Sequence, residues 1–410
     1  MLELKTSIVS RNLAVAARPQ KRYGERAHAI DSLAVPVYEE ELWTSRQRQG
    51  NAIHEISYRG CFKPQLPNYF LERLSTECDV VYDPFSGRGT TAIEAALLGR
   101  RVIANDINPL SAILTQPRLE VPDLADIQRR LHGIRVRASA GADIDLSMFY
   151  NRRTESELVT LRDYLRLRRE NREEDAVDRW IRMVATNRLT GHSPGFFSVY
   201  TLPPNQAVTP DDQLRINRKL GQKPPYRDTR ALILRKSVQL QNQLTATDRQ
   251  RLRQAATNAI FLNTDAAATR ALPAGGLQLT VTSPPFLDVV QYARDNWLRC
   301  WFNGLDAEAI SERITMAKTP EEWAASMSLV FAELYRLTAA GGWVAFEVGE
   351  IRRGAIRLEE IVAPLGVAAG FECGAVLINT QRFTKTANIW GVENNRLGTN
   401  SNRIVLFRKS

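Results

Sequence analysis

The segment DPFSGRGTT, residues 83–91, constrains this chain more than any other. A short apolar run, DVVYDPF, enters a turn carrying Gly87 and Gly89. TTAIEAALLG then reads as a helix closed by Gly99, and RRVIANDI as a second strand. Strand, helix and strand within about thirty residues make a βαβ unit, which requires a parallel sheet. The two glycines let the backbone turn tightly and approach a ligand closely. Asp106 ends the second strand about twenty residues on, a spacing at which a carboxylate accepts hydrogen bonds from ribose hydroxyls. No GK[ST] follows, so this is no phosphate-cradling loop. A third glycine at dinucleotide spacing is also missing.

The rest of the chain suggests one α/β unit, interrupted. Residues 1–50 read as an irregular arm with an extended piece, LAVPVY. Residues 64–77 read as a helix opened by Pro64. After Pro117 the character changes: 124–137, 154–189 and 229–258 look helical, and 190–230 is proline-rich loop. Strand signals return at LQLTVTSPPF, 277–286. A helix covers 320–338, GGWVAFEV is a strand, and FECGAVLINTQR and NRIVLFRK read as two antiparallel strands. The expected division is an arm at 1–50, one half of the α/β domain at 51–115, a helical insertion at 116–257 and the other half at 258–410.

Charge singles out the insertion. The net charge is +10, and residues 116–257 hold 26 basic and 17 acidic residues. Within 215–253 the ratio is eleven to two. Such asymmetry fits a phosphate-rich partner, because cations gain by releasing counterions from nucleic acid. Arg215, Arg218, Lys219, Lys223, Arg227, Arg230, Arg235 and Lys236 are the candidate DNA contacts, whereas 152–182 reads as ordinary helix surface. With a mean hydropathy of −0.29 and no apolar run near the ~20 residues that span a bilayer, no membrane segment is expected. Cys61, Cys78, Cys300 and Cys373 form no CxxC pair, and the four histidines are scattered. Neither a metal site nor a disulfide framework is therefore expected, and a reducing, cytoplasmic setting fits best.

DPFSGRGTT resembles the first motif of the amino-methylating DNA methyltransferases. FKPQL (62–66) is similar to their methionine-side cofactor motif in a permuted order, NDINP (105–109) to the ribose motif and TDA (264–266) to the adenine-facing segment. TSPPF (282–286) resembles the catalytic motif, and GGWVAFEVGE a later core strand. The resemblance implies a doubly wound, Rossmann-like α/β sheet with a mainly helical insertion, and S-adenosylmethionine as cofactor. Phe62, Asp83, Phe85, Gly87, Gly89, Thr90, Asp106, Ile107 and Asp265 would hold it. Ser283, Pro284, Pro285 and Phe286 would hold a base flipped from double-stranded DNA. Ser283 Oγ and the Pro284 carbonyl would accept from the amine, and Phe286 would stack on the ring.

Ser before two prolines matches the family habit for cytosine N4, whereas adenine N6 enzymes carry Asp or Asn there. The adenine reading stays open, and so, further off, does an RNA amine. Methylation at cytosine C5 needs a cysteine nucleophile from a Pro-Cys pair, which the chain lacks. The insertion would select the sequence, and a cognate restriction endonuclease is a candidate partner. Other segments carry two readings each. DVVQYARDNWLRCW (288–301) is helix core or, at Tyr292, a pocket wall. Residues 44–60 are an arm or the cofactor mouth. Residues 190–205 are a packed loop or a DNA-reading one. Residues 382–403 resemble the segment beside the base pocket.

Overall fold

In the computed structural model, residues 28–30, 33–43, 50–202, 207–285, 292–314, 317–351, 356–380 and 401–410 are described. The central sheet has eight strands: β1 (Val37–Glu40), β2 (Val80–Asp83), β3 (Arg101–Asn105), β4 (Ile260–Leu262), β5 (Leu277–Thr282), β6 (Thr338–Val348), β7 (Glu372–Thr380) and β8 (Ser401–Arg408). Their order is β1-β7-β8-β6-β5-β2-β3-β4. β8 runs antiparallel to both neighbours, and every other pairing is parallel. From β2 the chain winds outward through β3 to β4, then returns to β5 and β6 on the other side. This is the doubly wound Rossmann-like sheet expected, and the reversal between β2 and β5 opens the crevice where such sheets bind ligands.

Strand periodicity divides the core in two. Val81, Val102, Ala345 and Leu406 face one layer, and their successors Tyr82, Ile103, Phe346 and Phe407 face the other. Before the crevice come α1 (Gln65–Leu74), α2 (Thr90–Leu97) and α3 (Leu110–Thr115). The insertion supplies α4 (Leu124–Gly133), α5 (Arg152–Glu170), α6 (Ala176–Arg188), α7 (Pro210–Leu220), α8 (Thr229–Gln241) and α9 (Ala246–Asn258). The second half adds α10 (Tyr292–Asn303), α11 (Ala307–Arg313), α12 (Pro320–Leu337) and α13 (Leu358–Ala368). Along α12, Trp323, Met327, Val330, Phe331, Leu334 and Leu337 recur at helical spacing and seal one face of the sheet.

The insertion is not a separate body. Leu131, Leu161, Trp180, Ile233 and Leu252 share one apolar cluster with Val81, Val102 and Leu279 of the sheet. It forms the β3–β4 crossover and covers the other face. Its helices are shorter than the periodicity suggested. Asp175 and Thr245 each make a reciprocal capping box, with Asp178 and Asp248, and start new helices inside 154–189 and 229–258. Proline-rich 190–230 still holds α7, because Pro210 occupies a first-turn position that needs no N–H donor. β4 escaped detection because its apolar run, Ile260–Leu262, is only three residues long, too short to show a strand period.

The turn between β2 and α2 leaves no room. Gly89 has φ +76°, and a Cβ there would lie 2.3 Å from the Thr115 side chain, which is fully buried. Gly89→Ala should cost about 1–3 kcal/mol through strain and overpacking. Thermal melting would show it, and an unchanged midpoint would contradict the close packing of this turn.

Candidate active site

A cavity of about 520 Å³ opens at the carboxyl ends of β2, β3, β5 and β6. Asp106 organises its floor. Its Oδ2 accepts from the Gly87 N–H (2.7 Å) and its Oδ1 from the Asn108 N–H (2.9 Å). Asn108 Nδ2 in turn donates to the Tyr58 hydroxyl at 2.8 Å. One carboxylate thus joins the glycine loop, the end of β3 and the preceding segment. Burial pushes Asp106 up to about 6, against the pull of the two backbone donors.

The flanking segments are fixed by side chains that sequence reasoning passed over. Arg88 Nη1 donates to the Ile56 carbonyl (2.8 Å) and Nη2 to that of Phe62 (3.3 Å), pressing 56–62 onto the glycine loop. Asn105, fully buried, donates to the Pro84 and Thr264 carbonyls, and its Oδ1 accepts from Thr264 N and Oγ1. This sets Asp265 at the cavity edge. A buried amide at a strand end is the signal that was available in NDINP.

Among the expected cofactor residues, Phe62, Phe85, Gly87, Asp106, Ile107 and Asp265 line the cavity. Asp83, Gly89 and Thr90 do not, and build the turn behind it instead. Asp83 Oδ1 accepts from Phe85 N (3.1 Å) and from Thr282 Oγ1 (2.6 Å), so it ties the glycine loop to the end of β5. Its Oδ2 is buried and accepts no hydrogen bond among the described residues, and burial pushes Asp83 up to about 7.

The proline turn forms the opposite wall. Ser283, Pro284 and Pro285 all line the cavity. Thr282 is held by Asp83, and Trp323 Nε1 donates to the Pro285 carbonyl at 2.9 Å. Glu347 on β6 is the residue most plainly missed. Its carboxyl accepts from Asn402 Nδ2 (2.9 Å), it lines the cavity together with Ser283, and burial raises its pKa. An acid inside the apolar run WVAFEV was its signal, since a carboxylate rarely sits buried in a strand without a task. Phe286, the Tyr292 side chain and residues 382–400 lie outside the described residues.

The candidate DNA contacts separate into two sets. Arg215, Arg218, Lys219, Lys223 and Arg235 are exposed, with Arg215 paired to Asp212 at 2.6 Å. Arg227 is half-buried. Arg230 and Lys236 depart from the expected open basic face. The Arg230 guanidinium turns inward to the Ile134 carbonyl, and Lys236 is only 7% exposed.

The buried acids give the stability a pH signature. Asp83 keeps a proton in the folded state up to about 7, whereas the unfolded side chain loses it near 4. Unfolding in that window releases a proton, so this group makes stability fall as pH rises from about 4 to 7. Asp83→Asn should flatten that decline in denaturant melts taken across the window. An unchanged slope would contradict the burial assigned to Asp83.

Residues 15–113 match the family described as DNA methylase. A type II methyltransferase of Methanocaldococcus jannaschii is 34% identical over 88 residues, 21% of this chain and 17% of that protein. One from Geobacillus stearothermophilus is 31% identical over 84 residues, 20% of this chain and 16% of its own length. The match thus spans about a sixth of the length of these relatives. A solved SAM-dependent methyltransferase from Methanosarcina mazei covers 83% of this chain and 96% of its own at 10% identity, with a TM-score of 0.34. The glycine loop, the clamped acid of β3 and the segment before them fall inside the matched region, and in this region the chain is similar to the amino-methylating DNA methyltransferases.

Proposed function

We propose that this protein transfers a methyl group from S-adenosylmethionine to the exocyclic N4 amine of cytosine in double-stranded DNA. The observation that carries this reading is that Ser283, Pro284 and Pro285 line the same cavity as Asp106 and Gly87 of the glycine loop.

The cavity residues suit the cofactor. Each Asp106 oxygen accepts one backbone N–H and keeps a lone pair for a ribose hydroxyl. Phe85, Ile107, Met327 and Val330 offer apolar walls for a purine, with Asp265 at the rim and Phe62 at the other end. About 520 Å³ falls within the usual range of small-molecule sites. Bound there, S-adenosylmethionine supplies an electrophilic methyl group.

The chain's part is to make an amine nucleophilic. An exocyclic amine is weakly nucleophilic while its lone pair is delocalised into the ring. Acceptors on its N–H bonds favour the pyramidal form, and more so as positive charge develops. Glu347 lines the same cavity, and a Ser283 hydroxyl turned to donate to it would keep its oxygen lone pairs free to accept. Thr282, held by Asp83, and Pro285, held by Trp323, fix the turn on both sides of Ser283. That preorganisation supplies orientation before the base arrives. The exposed cations Arg215, Arg218, Lys219, Lys223 and Arg235 would meet DNA phosphates. On this reading the protein acts on cellular DNA in the cytoplasm, with a cognate restriction endonuclease as candidate partner.

Incubation with duplex DNA and labelled cofactor, followed by nucleoside identification, tests the target. N4-methylcytosine is expected; N6-methyladenine would move the assignment to the other amine, and an unlabelled duplex would reject it. Ser283→Ala should lower turnover on the order of a hundredfold, with cofactor affinity within a few-fold of wild type. Asp106→Ala should act first on cofactor binding, by about 2–3 kcal/mol in calorimetry. Wild-type turnover in the first variant, or wild-type affinity in the second, would contradict the role given.

A further inference from the structure

A cluster of cations lies apart from the cavity, where α6 ends and α8 passes the segment 55–57. Arg188 is 9% exposed and Lys236 7%. Arg188 Nη2 donates to its neighbour Asn187 Oδ1 (2.7 Å), and its guanidinium covers the Phe196 ring at 4.0 Å. Among the described residues, no carboxylate oxygen lies within 4 Å of it. Lys236 Nζ bonds Gln239 Oε1 (3.2 Å), and its nearest carboxylate, Glu55, stands 3.9 Å away while accepting from Gln239 Nε2 at 2.6 Å. Exposed Arg235 and buried Arg299 add positive charge to Arg188, and among the described residues Glu55 offsets it.

Buried charge without a close counterion is costly, and removing one member of such a set relieves the others. Burial first, then the facing Arg188, pulls Lys236 down to about 8. Burial, Arg299 and Arg235 pull Arg188 down to about 10. A cluster kept for stability would carry its own acids, as Arg130 and Arg168 do with Asp175 and Asp178. Among the described residues this one stays short of negative charge, and exposed His192, Pro194 and Gln239 lie beside it.

We propose that this cluster binds a backbone phosphate of the nucleic-acid substrate, with Arg188 and Lys236 as its inner ligands and Arg235 as the exposed outer one. The assignment rests on the DNA reading above and adds to it a specific phosphate subsite. Its place supports that role. Asn187 Nδ2 (2.9 Å) and Arg299 Nη2 (3.1 Å) both donate to the Ser57 carbonyl, one residue before Tyr58 in the cavity wall. Glu55 is three residues from Tyr58, at most about 11 Å of extended chain. A phosphate held here would flank the nucleotide whose base enters the cavity.

Lys236→Met keeps the apolar stem and deletes the charge. In low-salt chloride buffer it should melt about 1–3 °C higher, as repulsion is relieved. It should also bind a mixed-sequence duplex about tenfold more weakly at moderate salt, with the slope of log affinity against log salt shallower by about 0.9. Arg188→Gln should weaken duplex binding in the same way. Sulfate at matched ionic strength should raise the wild-type midpoint more than that of either variant. Wild-type duplex affinity and slope in both variants would overturn the proposal, even if sulfate stabilises the wild type, since the cluster would then hold only free anions. A lower midpoint for Lys236→Met with unchanged duplex binding would make the lysine structural and overturn it too. If the wild type itself binds no duplex, the DNA reading fails first and the subsite with it. Wild-type binding without these variant effects fails the subsite alone.

Discussion

The Asp106 carboxylate is the joint on which the site depends. One oxygen takes the Gly87 N–H and the other the Asn108 N–H, so the turn after β2 and the end of β3 cannot move independently. Through Asn108 the same joint reaches Tyr58, and Arg88 closes the arrangement from the other side by gripping 56–62. A segment from before β2 is thereby held over the crevice although it belongs to no strand of the sheet there. The charge is buried for this purpose, which is why its proton is held to about 6.

A second set of constraints runs from the glycine loop to the proline turn. Asp83 bonds Thr282 Oγ1, and the Thr91 hydroxyl donates to the Val281 carbonyl at 3.0 Å. The two halves of the α/β domain, separated in sequence by the insertion, are thus joined at the point where cofactor and base would meet. The insertion itself shares the sheet's apolar core. A nucleic acid bound to it would act on a surface continuous with the wall of the cavity, through Asn187 and Arg299 at Ser57.

Much of this could be read from the chain. The βαβ unit was legible because DPFSGRGTT sits between two apolar runs, and the proline turn because Pro284 and Pro285 must end a strand. What escaped was long-range or local in other ways. Glu347 and Asn105 act through partners 55 and 159 residues away, Asn402 and Thr264, and no periodicity reports such pairs. The breaks within the insertion are set by single caps, not by the apolar pattern. Net charge pointed to the insertion, but it could not tell an exposed Arg218 from a sunken Lys236.

The central claim is that a cofactor completes the hydrogen bonds of a buried, half-protonated Asp106. Calorimetric titration of S-adenosylmethionine near pH 6, in buffers of differing ionisation enthalpy, reads this directly. Hydroxyl donors and a nearby positive charge favour the ionised acid, so binding should release about half a proton. Asp106→Asn should abolish that release. Binding without proton release by the wild type, or equal release by Asp106→Asn, would contradict the account.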